Sequence, residues 1–227
     1  MTNSFKTIPT TEVGAFTPGG PTKAFNPPLD PATKDYRLNH LALRITDPAR
    51  SLHFYVDLLG MRVVFNMNAG PFTIYYLGHP PADTDSTTKE GGVEKWAETT
   101  SQMPVLTRTS GLLELFHVHG TEDSANENGE PGVGVSNGNV PPNLGFAHLG
   151  FTVPDVNAAI ERLRDGGVEI LKEPGVCTRE SVPLSEWEAE RGVGTGEIHG
   201  NYAWFFEKFA MVADPDGYMV ELTPQNI

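Results

Sequence analysis

The 227-residue sequence has one cysteine, Cys177, so no disulfide can form within the chain. A lone thiol fits a reducing compartment and leaves stability to the core. Basic residues are scarce: 16 Lys and Arg stand against 29 Asp and Glu, for a formal charge of −13. That balance argues against nucleic acid and anionic membranes as partners, because both need a basic surface. No apolar run approaches the roughly 20 residues of a membrane-spanning helix. The opening MTNSFKTIPTTEVGAF lacks the apolar core of a secretion signal, and no Asn-x-Ser/Thr sequon occurs. These absences lead us to expect a cytoplasmic globular protein whose partners are small molecules rather than nucleic acid or membrane.

Gly and Pro are plentiful, 24 and 19, which favours strands and turns over a helical bundle. Residues 1–35 are rich in Pro, Thr and Gly and read as an arm lying over the surface or over a partner subunit. Beyond the arm the sequence repeats itself. HLALRITD at 40–47 matches HLGFTVPD at 148–155, an offset of 148 − 40 = 108. A helical pattern follows each copy, with Asp47 and Asp155 at the N-cap position and Gly60 and Gly167 at the stop. Between those glycines the offset becomes 107, and it stays 107 for GLLELFHVHG, which contains Glu114, against DGYMVELTPQ, which contains Glu221. The expected fold is therefore α+β: two βαβββ modules, 36–120 and 143–227, with curved mixed sheets forming a shared metal-containing cavity. Residues 121–142 read as the linker, residues 175–206 as an insert in the second module, and DPDGY at 214–218 as a hairpin-type turn.

Alternation along each strand sorts its side chains onto two faces. Leu41, Leu43 and Ile45 should pack on the helix, leaving His40, Ala42 and Arg44 on the other face. Leu149, Phe151 and Val153 should pack likewise, leaving His148. Leu113 and Leu115 pack, leaving Glu114, Phe116 and Val118; Val220 and Leu222 pack, leaving Met219, Glu221 and Thr223. Two histidines and two glutamates thus occupy matched positions on the concave faces. A lone strand His is usually a structural residue, but two carboxylates buried together call for a cation. His40, Glu114, His148 and Glu221 suit a borderline divalent ion such as Zn²⁺, Ni²⁺, Co²⁺ or Mn²⁺.

LALRITDPARSLHFYVDLLGM, LLELFHVHGTED, GFAHLGFTVPDV and DPDGYMVEL, in this order, resemble the glyoxalase I (lactoylglutathione lyase) family of the vicinal oxygen chelate superfamily. The resemblance implies one divalent metal per site, Zn, Ni or Co, on His40, Glu114, His148 and Glu221, with glutathione as cosubstrate. It implies isomerisation of the glutathione–methylglyoxal hemithioacetal to S-lactoylglutathione through an enediolate, for detoxification. Glu221 is then the principal base, Glu114 a ligand and second acid/base, and the active site lies between the subunits of a homodimer. Arg44 matches the arginine that grips the glutamyl end, and Lys172 a lysine that meets the glycine carboxylate.

The resemblance thins at the remaining glutathione contacts. A family Asn is Val118 here, a family Arg is Leu144, and the short basic closing loop is replaced by the 175–206 insert. Phe116, Val118 and Met219 make the expected substrate cavity more apolar. An alternative with the same chemistry is a ketol isomerase acting on a hydrophobic α-hydroxyketone, a terpenoid or polyketide toxin, without glutathione. A metal-free small-molecule binding protein is the distant non-enzyme reading. His199, with Tyr202 and Trp204, is a candidate for a lid.

Overall fold

In the computed structural model, which describes residues 9, 11–20, 26–84, 92–122, 133–182 and 184–226, the repeat emerges as two four-stranded sheets. Strand β1 (His40–Ile45) leads into α1 (Pro48–Leu52), which continues as a π-helix over His53–Leu58. The Asp47 carboxylate caps it by accepting from the amides of Ala49 and Arg50, and Pro48 adds a preset first turn. Gly60, at φ +78°, ends it in the left-handed conformation that side chains avoid. Then come β2 (Arg62–Asn68), β3 (Phe72–Gly78), α2 (Val93–Thr100), α3 (Met103–Leu106) and β4 (Leu112–Val118). The two helices between β3 and β4 were not anticipated from sequence.

The second half carries a two-residue pair, β5 (Asn139–Val140) and β6 (Asn143–Leu144), before β7 (Leu149–Val153). Helix α4 (Val156–Asp165) is capped by Asp155 accepting from Ala158. Strand β8 (Ile170–Lys172) is parted from β9 (Ala210–Ala213) by the insert, which holds α5 (Glu186–Ala189) and α6 (Ala203–Phe206). The turn before β10 (Met219–Pro224) closes with the Asp214 amide on the Tyr218 carbonyl at 2.9 Å.

Strand order is β1-β4-β3-β2 in one sheet and β7-β10-β9-β8 in the other. The first pair in each is parallel and the others antiparallel, so β1 and β7 are edges. One core joins both halves: Leu43, Ile45, Leu113 and Leu115 share a cluster with Ile160, Leu163, Val220 and Leu222. Polar links cross the same junction. The Tyr55 hydroxyl donates to Asp214 Oδ2 at 2.8 Å, and Thr46 donates through Oγ1 to Asp216 Oδ1 at 2.6 Å.

One expected core residue is misplaced by the alternation rule. Leu41 is 44% exposed, because it starts an edge strand and borders a cleft instead of lying under α1. The described part of the arm is tied to the insert: Asn201 Nδ2 donates to the Gly14 carbonyl at 3.0 Å, and the Tyr202 hydroxyl to that of Ala15. Residues 1–8, 10 and 21–25 of the arm and 123–132 of the linker lie outside the described residues. Among the described residues no helix is long and apolar enough to cross a membrane.

Candidate metal centre in two halves

Parallel pairing sets Glu114 on β4 opposite Ala42 and brings it beside His40 at the start of β1. Glu114 Oε2 lies 3.4 Å from His40 Nε2, with the carboxylate side chain 12% exposed. The second sheet repeats the arrangement. Glu221 pairs with Gly150, and its Oε2 lies 3.7 Å from His148 Nε2.

The four side chains do not form one cluster within the chain. Among the described residues no three His, Cys, Asp or Glu side chains are grouped so as to hold a metal ion. His40 and His148 do share a cleft of about 660 Å³ between the two edge strands, but neither glutamate lines it. The structure thus groups the four expected ligands as two His–Glu pairs, one on each sheet.

The donor chemistry of each half fits a divalent ion. His40 Nδ1 lies 2.8 Å from Asn39 Oδ1, which can only accept, so Nδ1 donates there and Nε2 is the nitrogen that faces Glu114. His148 Nδ1 is buried without any hydrogen-bond partner among the described residues.

Two neighbours escaped the sequence reading. The Tyr76 hydroxyl lies 3.2 Å from His40 Nε2, and Tyr76 stands opposite Glu114 in the sheet register; burial first, then the Glu114 carboxylate, push the phenol well above its ordinary range. Asn39 is the other. The signal for Tyr76 was the run FTIYYLG, whose alternation puts Tyr76 and Ile74 on one face, but only the register sets Tyr76 against Glu114.

Three of the expected substrate contacts meet. Arg44, Phe116 and Val118 line one cavity of about 440 Å³ with Tyr218, and the Arg44 guanidinium lies 5.9 Å from the Phe116 ring centre. Met219 borders a different cavity of about 300 Å³, with Leu144, Glu180 and Leu184. Lys172 requires a correction. It is 4% exposed, its ammonium donates to the carbonyls of Phe206 (2.8 Å) and Phe209, and it lies 4.2 Å from the Phe209 ring centre. The end of the long insert and the residues leading into β9 fold back over the end of β8 and take up those donors. His199 and Tyr202 meet the arm.

Residues 37–181 match the model of the Glyoxalase/Bleomycin resistance protein/Dioxygenase superfamily. The chain belongs to this superfamily. The lactoylglutathione lyase of Pseudomonas aeruginosa is 32% identical over 200 residues, covering 87% of this chain and 88% of that protein. Its Pseudomonas putida counterpart is 30% identical, covering 85% and 87%. Glyoxalase I of Saccharomyces cerevisiae is 34% identical over 187 residues, 82% of this chain but 44% of the yeast protein. The chain thus spans less than half the length of the yeast relative. These relatives set it in the glyoxalase I branch of the superfamily, among enzymes.

Proposed function

We propose that this chain is a lactoylglutathione lyase that isomerises the hemithioacetal of glutathione and a 2-oxoaldehyde, with a divalent ion held by His40, Glu114, His148 and Glu221. The observation that carries the reading is the His–Glu pair at the same register in both sheets. An ion held there supplies Lewis-acid stabilisation to the adjacent oxygens of the substrate. Glu221 removes the proton from the carbon bearing sulfur and the proton is delivered to the neighbouring carbonyl carbon, while the hydroxyl proton passes to the former carbonyl oxygen, so that hydroxyl and carbonyl exchange places and the thioester forms with no net change in atoms. Glu114 stays beside His40 as a ligand. Arg44 receives the anionic glutamyl end, over the apolar wall of Phe116 and Val118.

A chain that presents two half-sites on separate concave faces completes each with a second copy. We therefore read the active form as a homodimer, in which His40 and Glu114 of one copy meet the second-module pair of the other.

The reading is tested by loading the protein with Co²⁺ or Zn²⁺ and following thioester absorbance with methylglyoxal and glutathione. EDTA-sensitive turnover is expected, and Arg44→Ala should raise KM more than it lowers kcat. Metal binding without turnover would instead favour the ketol isomerase. That second reading is supported by Val118 and Leu144 standing where glutathione-contacting polar residues are expected, and by the apolar lining around Phe116.

A further inference from the structure

We propose that Asn39 and Tyr76 are positioning residues that make the first half-site the anchor for the divalent ion and leave the second half-site the looser partner. The inference rests on the reading of His40, Glu114, His148 and Glu221 as one ligand set, and adds to it an inequality between the halves.

Asn39 is held from behind. Its Nδ2 donates to the carbonyl of Leu106 at 2.8 Å and to that of Thr109, both from the α3 end of the β3–β4 connection. With both donors used there, the amide cannot be turned over: a swapped oxygen would face two carbonyls. Its Oδ1 therefore stays pointed at His40 Nδ1, 2.8 Å away. One ring direction results, with Nδ1 donating to Asn39 and Nε2 on the side of the glutamate, available to a cation there.

Tyr76 closes the other side. Its ring stacks on Phe65 at 4.6 Å and meets the His40 ring edge-on at 5.1 Å, so packing fixes where its hydroxyl goes. That hydroxyl lies 3.2 Å from His40 Nε2, and Tyr76 stands directly opposite Glu114 in the register of β3 and β4. Once a cation occupies the Nε2 lone pair, the phenol proton has only the carboxylate to donate to. It then holds Glu114 in its ligating direction.

The second half has neither device. The offset of 108 puts Ala147 where Asn39 stands, and the sheet register puts Met211 opposite Glu221 as Tyr76 stands opposite Glu114. Alanine cannot accept from an imidazole, and a thioether cannot donate to a carboxylate. His148 Nδ1 is accordingly buried with no hydrogen-bond partner among the described residues. Glu221 is left with the freedom that moving a proton between two carbons requires.

The test is Co²⁺ binding by the full-length chain, read both as affinity, by competition with a chelating indicator, and as the visible d–d spectrum. Tyr76→Phe and Asn39→Ala are each expected to weaken Co²⁺ by about 10- to 100-fold, the usual cost of losing such a support, and to change the spectrum. Met211→Leu in the second half should leave both unchanged. Tyr76→Phe keeps the ring and its stacking, so it decides the matter if Asn39→Ala unfolds. Wild-type affinity and spectrum in Tyr76→Phe would overturn the inference while leaving the ligand set standing. Wild-type Co²⁺ uptake by both His40→Ala and Glu221→Gln, or no uptake by the unmodified protein, would remove the ligand set itself, and the inference with it.

Discussion

Taken across their strands, the two sheets carry corresponding rows. The first runs Ala42–Glu114–Tyr76–Phe65, and the second Gly150–Glu221–Met211–Lys172. The duplication keeps a small residue beside each glutamate and keeps the glutamate itself. It lets the next two positions drift apart. In the first row two stacked aromatics support the carboxylate. In the second a flexible thioether stands beside it, and a buried cation is spent on tying down the insert. The comparison teaches that pseudosymmetric backbones need not give equivalent surroundings: two glutamates at matched registers face different neighbours one strand away.

The sharpest way to break that comparison is to exchange each glutamate for glutamine. Glu221→Gln should fold normally and lose about 10²- to 10⁴-fold in kcat, as expected for removal of a general base. Glu114→Gln should act first on metal retention, so that excess metal restores part of its activity. If excess metal rescues both variants equally, the two halves are equivalent and the assignment of Glu221 as base falls. Coexpression of the same two variants asks whether the halves come from different copies. In a shared-site dimer the mixed species carries one wild-type site, and activity should reappear well above either parent. No recovery from purified mixed dimers would show that each chain closes its own site.

The junction between the halves offers a pH measurement. Burial raises the Asp214 carboxyl from 3.8 to about 6, against hydrogen bonds from Tyr55 and the amides of Tyr218 and Asp216. Its counterpart at the 107 offset, Thr107, is exposed. The folded protein therefore holds this proton more tightly than the unfolded chain. The stabilisation is complete below pH 3.8 and is lost as pH rises through about 6, in total about 3 kcal/mol. Denaturant unfolding of wild type and Asp214→Asn at pH 4 and pH 7 should show the wild type's relative stability falling by roughly that amount. A difference independent of pH would show that the carboxyl is not perturbed.

The smallest effect concerns Lys172. Lys172→Met should cost about 1–3 kcal/mol in stability, because the carbonyls of Phe206 and Phe209 lose their donor. KM for the hemithioacetal should stay near the wild-type value. A large rise in KM at unchanged stability would return Lys172 to the substrate.

Much of the fold was legible because its signals are local. Asp47 and Asp155 cap helices by reaching two or three residues along their own chain. Pleat alternation sends Leu113, Leu115, Val220 and Leu222 inward whatever the rest of the chain does. Leu41 broke the rule because alternation says which face a side chain takes, and only the sheet order says that β1 is an edge. Lys172 was misread for a related reason. A cation on a strand face looks available until the end of the insert and the residues just after it, 34 and 37 positions later in sequence, bring two carbonyls against it.

By itself the sequence determined the duplication, the α+β modules and the presence of a His and a Glu at matched concave positions in each, since a period of two and a constant offset need no knowledge of distant contacts. Tertiary structure decided how those four residues are grouped. It separated them into two pairs, because each parallel pairing of β1 with β4 and of β7 with β10 joins one His to one Glu within its own sheet. It also supplied their unequal surroundings. Asn39 is oriented by carbonyls 67 and 70 positions away and Tyr76 reaches His40 across 36, through registers that only the folded sheet sets.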